Sequence, residues 1–374
     1  MEQNLTFAEL GLSKEILQAL EQKGYGYPTR IQAEAIPPFM QWKDVIAKAP
    51  TGTGKTFAFG IPMLEHIDAG SEDLQGLVLA PTRELAIQIC DELKGLAAFN
   101  KDIRVAVVYG GAKIEQQIKQ LAKHPQIVVA TPGRLMDHYN RKTLRLDKVQ
   151  TVVLDEADRM LDMGFIADIR RLLPLLPVRR QTLLFSATMP RDIVALSGSV
   201  LRDPVRVEVT PASSTVDRVD QRVYFVERPE KKSLLVSVLR KQADKSVLVF
   251  SRTKHGADNI ARMLKKAGIR SEAIHGNKSQ GQRQRALGDF KSGKVKVMVA
   301  TDIAARGIDV SELHTVINYD LPDAAETYVH RIGRTGRAGR SGVALTFCSQ
   351  DEHAKVRDIQ KLTGRKLETV SCTA

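Results

Sequence analysis

The chain has 374 residues, 43% hydrophobic and 26% charged, enough for two or three domains that each bury a core without disulfide or zinc staples. This balance excludes long disorder and collagen-like sequence, and no apolar run approaches the ~18–20 residues that span a bilayer. Lys and Arg number 56 against 43 acidic residues, a net charge of +13, and the excess is lopsided: 26 basic and 25 acidic residues up to Thr210, then 30 and 18 beyond it.

A basic excess in one half points to a polyanion partner, with solvated surface lysines as the alternative. Cys90, Cys348 and Cys372 lie far apart and in no CxxC pair. That argues against a disulfide framework or zinc site and fits a reducing cytoplasm. Met1-Glu2-Gln3-Asn4 lacks the basic and apolar stretches of a secretory signal.

Along the chain, short β-branched runs alternate with longer helical patterns. The runs at 44–47, 77–79, 105–108, 127–129, 152–154 and 183–185 predict a parallel sheet covered by helices on both faces. The first run leads into Ala49-Pro50-Thr51-Gly52-Thr53-Gly54-Lys55-Thr56. Its glycines let backbone N–H groups curl around an anion, and a helix N-terminus adds positive charge. Lys55 can reach β and γ phosphates, and the Thr56 hydroxyl can ligand Mg²⁺. The general pattern wants Gly where Ala49 stands, and Pro50 lacks an N–H to donate.

Other polar motifs also follow strands, where open α/β sheets hold ligands. They are Pro81-Thr82-Arg83, Thr131-Pro132-Gly133-Arg134, Asp155-Glu156-Ala157-Asp158 and Ser186-Ala187-Thr188. A carboxylate at the end of the 152–154 strand, facing a phosphate loop, suits Mg²⁺, held directly or through water. Glu156 can orient or deprotonate an attacking water. The small, polar stretch around Thr210-Pro211-Ala212-Ser213 reads as a linker. Alternation then restarts with runs at 223–226, 247–250, 295–299, 315–317 and 343–347, with Thr301-Asp302 after one of them. The halves repeat an α/β architecture without a residue-level repeat.

Taken together the motifs resemble those of the DEAD-box RNA helicases, over about residues 7–366. Gly24-Tyr25-Gly26-Tyr27-Pro28-Thr29-Arg30-Ile31-Gln32 is similar to the family's Q motif. The phosphate loop, Asp155 to Asp158, Ser186-Ala187-Thr188, Gly110-Gly111, the run from Ala300 to Asp309 and His330-Arg331-Ile332-Gly333-Arg334-Thr335-Gly336-Arg337 match in family order. The stretch from Arg252 to Gly281 is most similar to the bacterial RhlE-like branch.

The resemblance implies two RecA-like domains: a Q-motif region at 1–33, domain 1 at 34–209, a flexible linker at 210–219 and domain 2 at 220–370. It implies ATP and Mg²⁺ as cofactors, with Thr56 and Asp155 on the metal. Phe7, Gln32, Thr51, Gly52, Thr53, Gly54, Lys55, Thr56 and Asp309 would bind ATP. Gln32 would read adenine through its paired donor and acceptor, and Phe7 would stack on the base, core packing being the alternative. Lys55, Asp155, Glu156, Arg334 and Arg337 would be catalytic, the two arginines as fingers on the γ-phosphate. Asp158, Ser186 and Thr188 would couple nucleotide state to RNA. Thr82, Arg83, Gly111, Thr131 and Arg134 in domain 1, and Thr253, Gln280, Arg283, Thr301 and Arg306 in domain 2, would hold RNA by backbone and 2′-OH. The implied protein is a cytoplasmic monomer that unwinds RNA as its domains close, in ribosome assembly or RNA decay. An ATP-gated RNA clamp and a DNA helicase are the competing readings. Trp42 reads as a turn residue or a partner contact, and His275 and His330 as structural or interdomain groups. The basic tail of many relatives is missing from this sequence.

Overall fold

The computed structural model describes residues 5–50, 52–209, 219–305, 313–336 and 341–371, and within these not the side chains of Gln280, Ile303 and Glu326. Thr51, Arg306, Asp309, Arg337 and nearly all of the expected linker lie outside the described residues. The chain divides into two compact units, Met1–Thr210 and Pro211–Ala374.

In the first unit the strands are β1 (Val45–Lys48), β2 (Gly76–Leu79), β3 (Val105–Val108), β4 (Ile127–Ala130), β5 (Thr151–Leu154), β6 (Gln181–Ser186) and β7 (Val205–Glu208). They form one parallel sheet in the order β3-β4-β2-β5-β6-β1-β7. Successive side chains alternate between its faces. Val45, Ala47, Val78 and Phe185 pack with Phe39, Phe59 and Leu93 of the helices Arg30–Met40, Lys55–Glu65 and Arg83–Leu96. Ile46, Leu77, Val152 and Leu184 pack on the other face with Leu135, Met160 and Ile193. Apolar residues on both faces are what make these strands read as unbroken β-branched runs. Each fully buried ring or branched chain contributes about 1.5–3 kcal/mol.

The second unit holds β8 (Val219–Phe225), β9 (Val247–Phe250), β10 (Ser271–Ile274), β11 (Val297–Ala300), β12 (Thr315–Asn318), β13 (Gly342–Cys348) and β14 (Glu368–Thr369). Its parallel sheet runs β10-β11-β9-β12-β13-β8-β14. Counted from its own first strand, this order is that of the first unit. The expected doubly covered parallel architecture is therefore present twice, with identical connectivity.

The stretch 1–33 packs with the first unit: the helix Arg30–Met40 runs through residue 33, and Phe7, Leu12, Ile16, Leu20 and Ile31 join that unit's core. Trp42 is a turn residue with φ +60° whose ring stacks on His66 at 3.9 Å. No described helix is long and apolar enough to cross a membrane.

Candidate nucleotide and RNA site

The phosphate loop leaves the carboxyl end of β1 and closes onto the helix Lys55–Glu65. Gly52 and Gly54 adopt φ +84° and +93°, a region that L side chains enter only with strain. A Cβ on Gly54 would stand 2.5 Å from Gln32 Nε2 and 3.0 Å from Thr29 Oγ1. The close approach reflects a direct tie between the Q motif and the loop. Thr29 Oγ1 donates to the Thr53 carbonyl at 2.8 Å, and Gln32 Nε2 donates to the Gly54 carbonyl at 3.1 Å. Gln32 Oε1 accepts the Thr29 N–H at 2.8 Å, so both ends of the amide are engaged within the protein. Pro50, unable to donate, serves as acceptor: the Thr53 hydroxyl bonds its carbonyl at 2.9 Å.

Lys55 opens the helix, is buried, and donates from Nζ to the Ala49 carbonyl at 3.0 Å. Thr56 follows it in the first turn. Phe7 is packed into the core at 3% exposure, whereas Tyr25 is exposed and meets Phe57 edge-on at 5.2 Å.

Across the sheet edge, β5 delivers Asp155 and Glu156, both buried. Burial pushes the Asp155 carboxyl up to about 7, opposed by the Lys55 ammonium and reinforced by Glu156. Its Oδ1 accepts the Glu156 N–H at 2.9 Å. Glu156 holds φ +52°, a costly conformation for a non-glycine residue, and its carboxylate pairs with buried Arg159. Asp158 Oδ2 accepts both the N–H and the hydroxyl of Thr188 at 2.8 Å. The Asp158 N–H donates to Ser186 Oγ at 3.1 Å, and that hydroxyl donates to the Thr188 carbonyl at 2.7 Å. The ends of β5 and β6 are thus joined in one hydrogen-bonded cluster.

A hard oxygen pair such as Thr56 and Asp155 suits Mg²⁺. Among the described residues no group of three His, Cys, Asp or Glu side chains could hold a metal alone. The donor set therefore fits an ion that takes its remaining ligands from phosphates and water.

The RNA-side candidates of the first unit form a second cluster. Thr82 caps the helix Arg83–Leu96, accepting the Leu85 N–H at 3.2 Å. The Arg83 guanidinium lies so close to Gly111, at φ +85°, that a Cβ there would sit 2.2 Å from Nη1. Arg134, on the helix Pro132–Asn140, donates to the Ala112 carbonyl at 3.2 Å and to Gln117 Oε1 at 3.1 Å. Thr131 is buried and donates its N–H to the Val108 carbonyl at 3.0 Å.

Gln117 had no expected role. Buried, it donates from Nε2 to the Tyr109 carbonyl at 2.9 Å, while its Oε1 also meets His138 Nε2 at 3.1 Å. It ties the Gly110-Gly111 loop to the Thr131–Arg134 turn. A glutamine in a helical pattern carries no local signal of such a role.

In the second unit, Thr253 caps the helix Lys254–Lys266 through the Gly256 N–H at 2.9 Å. Gln280 opens the helix Gln280–Lys291, with half-buried Arg283 in its first turn. Thr301 is buried just beyond β11. Next to it, Asp302 takes a two-point grip from Arg331 at 2.6 and 2.7 Å. Arg331 is 2% exposed, lies over the Phe250 ring at 4.8 Å and also donates to the Asp320 carbonyl at 2.6 Å. Arg331 too had no expected role; it locks the Thr301-Asp302 segment to the helix that leads to Arg334. Arg334 is buried, its Nε donating to the His330 carbonyl at 3.4 Å. His275 pairs with Asp258 at 3.0 Å, a structural contact.

Two family models match the chain: the DEAD/DEAH box helicase over residues 29–196 and the helicase conserved C-terminal domain over 230–339. The chain is 50% identical over 365 residues to the DEAD-box ATP-dependent RNA helicase CshA of Geobacillus kaustophilus, covering 97% of this chain and 78% of that one. It is 46% identical to the ATP-dependent RNA helicase CshA of Listeria monocytogenes, covering 97% and 69%. Among solved structures it is similar to S. cerevisiae Dbp5 bound to RNA and ADP BeF3, with TM-score 0.87, 31% identity and 98% and 95% of the two chains covered. It is also similar to Mss116p bound to ssRNA and AMP-PNP, with TM-score 0.90, 29% identity and 100% and 80% covered. Identity at this level along almost the full length, over a doubled fold with most of the described motifs at strand ends, settles the assignment: the chain belongs to the DEAD-box ATP-dependent RNA helicase family.

Proposed function

We propose that the chain hydrolyses ATP in response to RNA and uses the cycle to close its two units on one bent strand, separating short duplexes locally. The observation that supports this most directly is the hydrogen-bonded cluster of Asp158, Ser186 and Thr188 beside Asp155 and Glu156. A change at the nucleotide carboxylates is transmitted by such a cluster to the end of β6 without passing through solvent.

In this reading Gly52, Thr53, Gly54, Lys55 and Thr56 hold the phosphates, joined by Thr51. Gln32 reads adenine after exchanging a bond it now makes to Gly54 or Thr29, and Phe7 lies beneath the base. Thr56 and Asp155 would hold Mg²⁺, which would neutralise phosphate charge. Glu156 orients and deprotonates the attacking water. Arg334, together with Arg337 and Asp309, reaches the nucleotide from the second unit once the units close. Thr82, Arg83, Gly111, Thr131 and Arg134 bind phosphate and sugar from the first unit, and Thr253, Gln280, Arg283, Thr301 and Arg306 from the second. The boundaries 34–209 and 220–370 for the two domains, a monomeric state, a cytoplasmic site and partners in ribosome assembly or RNA decay complete the proposal. So does a place near the RhlE-like branch, which rests on the stretch from Arg252 to Gly281 and stands beside relatives that carry the name CshA.

Steady-state ATP hydrolysis with and without single-stranded RNA tests the reading. A strong RNA stimulation that single-stranded DNA does not reproduce is expected; equal rates in all three conditions reject it.

A further inference from the structure

A cavity of about 360 Å³ opens in the first unit beside Asp44 and Thr182, at the amino ends of β1 and β6. This is the sheet edge opposite the phosphate loop and the RNA-side turns. Three guanidiniums, Arg170, Arg180 and Arg202, line it together with apolar side chains that include Leu173, Leu176 and Val178. Val178 is 74% exposed, the most open large apolar residue among those described.

The cluster is unbalanced. The single carboxylate in the lining, Asp44, spends Oδ1 on the Thr182 N–H at 2.8 Å and Oδ2 on the Arg202 N–H at 2.6 Å. Among the described residues no carboxylate forms an ion pair with Arg170, Arg180 or Arg202. Arg180 donates from Nη1 to the Pro177 carbonyl at 2.8 Å, but its Nε is buried with no hydrogen-bond partner. Burial, and then Arg202, weaken its hold on its proton, with Asp44 opposing. A dry, unpaired donor among like charges is unfavourable unless an anion arrives to accept from it.

We propose that this cavity binds an acidic peptide segment of a partner protein, seating a large apolar side chain between carboxylates held by Arg170, Arg180 and Arg202. The apolar wall decides between polyanions. Leu173 and Leu176 are core residues that back the cavity, and its accessible apolar surface comes from Val178 and half-buried Val200; a sugar–phosphate backbone has nothing to place against these two, whereas a peptide supplies an anchor and an acidic rim together. The site lies away from the chemistry, so a partner seated there leaves the nucleotide and RNA edge open.

The test selects binders to the full chain from a random library of peptides about 12 residues long. It then measures their affinity by fluorescence anisotropy for the wild type, Arg180→Gln and the doubly reversed Arg170→Glu/Arg202→Glu. The rim arginines are exposed, so the double variant keeps its fold and its RNA-stimulated ATPase. Expected are sequences with Asp or Glu flanking Leu, Ile or Phe, which lose at least about tenfold in affinity to the double variant and also weaken with Arg180→Gln. The proposal is overturned if no peptide binds, if the binders lack acidic residues, if charge reversal leaves affinity unchanged, or if poly(U) displaces them.

Discussion

The two units share a strand order and part company at the turn after their first strand. In the first, β1 enters a glycine loop, and the helix that follows begins at buried Lys55, whose ammonium meets the Ala49 carbonyl. In the second, β8 enters Val226-Glu227-Arg228-Pro229-Glu230, and the helix begins at buried Lys231. That ammonium is neutralised by Glu352 at 2.6 Å and donates to the Tyr319 carbonyl at 3.2 Å. Glu352 accepts in turn from Arg252 at 3.1 Å and from the Ser349 hydroxyl at 2.8 Å. Lys55 rests on a carbonyl, with no carboxylate ion-paired to it among the described residues; its topological counterpart is closed by an internal carboxylate. Topology supplies the seat, and the loop after the first strand decides whether chemistry occupies it.

The largest expected effect breaks the first side of this comparison. Glu156→Gln removes charge and keeps shape, so multiple-turnover ATP hydrolysis should fall by roughly 100-fold or more while ATP and RNA binding persist. Retained turnover in a steady-state assay would reject Glu156 as the base.

The second side breaks by stability and not by chemistry. Lys231→Met leaves Glu352 buried with less compensation, which should cost about 3 kcal/mol. Lys231→Met/Glu352→Leu should recover much of that loss, and urea unfolding of both variants measures it. If the single variant is as stable as the wild type, the internal ion pair does not close the second seat.

A smaller effect belongs to the RNA-side turns. Gln117→Leu removes the link between the Tyr109 carbonyl, Arg134 and His138. The RNA concentration for half-maximal ATPase stimulation should rise about 10-fold, with the KM for ATP unchanged. A parallel rise in both constants would mean general loosening of the first unit.

These cases also mark how far the sequence was legible. Every central strand could be read because a strand buried on both faces must be apolar throughout. The strands that escaped, β7, β10 and β14, all lie at sheet edges. Val205-Arg206-Val207-Glu208 and Ser271-Glu272-Ala273-Ile274 mix polar residues that an edge tolerates, and β14 has two residues. β8 begins at Val219, ahead of the apolar run at 223–226, because Asp220, Gln221 and Arg222 are all polar and hide the alternating burial of this stretch. Motif residues were legible because glycine, lysine and paired acids carry their chemistry locally. Gln117, Arg331 and the Lys231–Glu352 pair were not, because their partners lie 8 to 121 residues away.

The smallest effect is a pH dependence. Burial, and then Arg134, hold the His138 imidazole below the ordinary histidine value, with Arg141 adding to this and Asp137 opposing. As pH falls, the unfolded chain therefore takes up its proton before the folded one. The stability tied to neutral His138 is complete above the unfolded value near 6.5 and is lost as pH drops below it toward the folded value. His66, shifted the same way by burial, adds a similar loss. Between pH 7 and 5 the Tm of the wild type should fall more than that of His138→Gln by roughly 2 °C. Parallel curves would remove His138 from the account.

The central claim is that ATP and RNA together draw the unit bearing Lys55 and the unit bearing Arg334 into one active site. A donor and acceptor dye, one on each unit, measure this directly by energy transfer. Efficiency should rise only when a non-hydrolysable ATP analogue and single-stranded RNA are both present, and Arg334→Ala should blunt the rise. The same efficiency with either ligand, both or none would contradict the account.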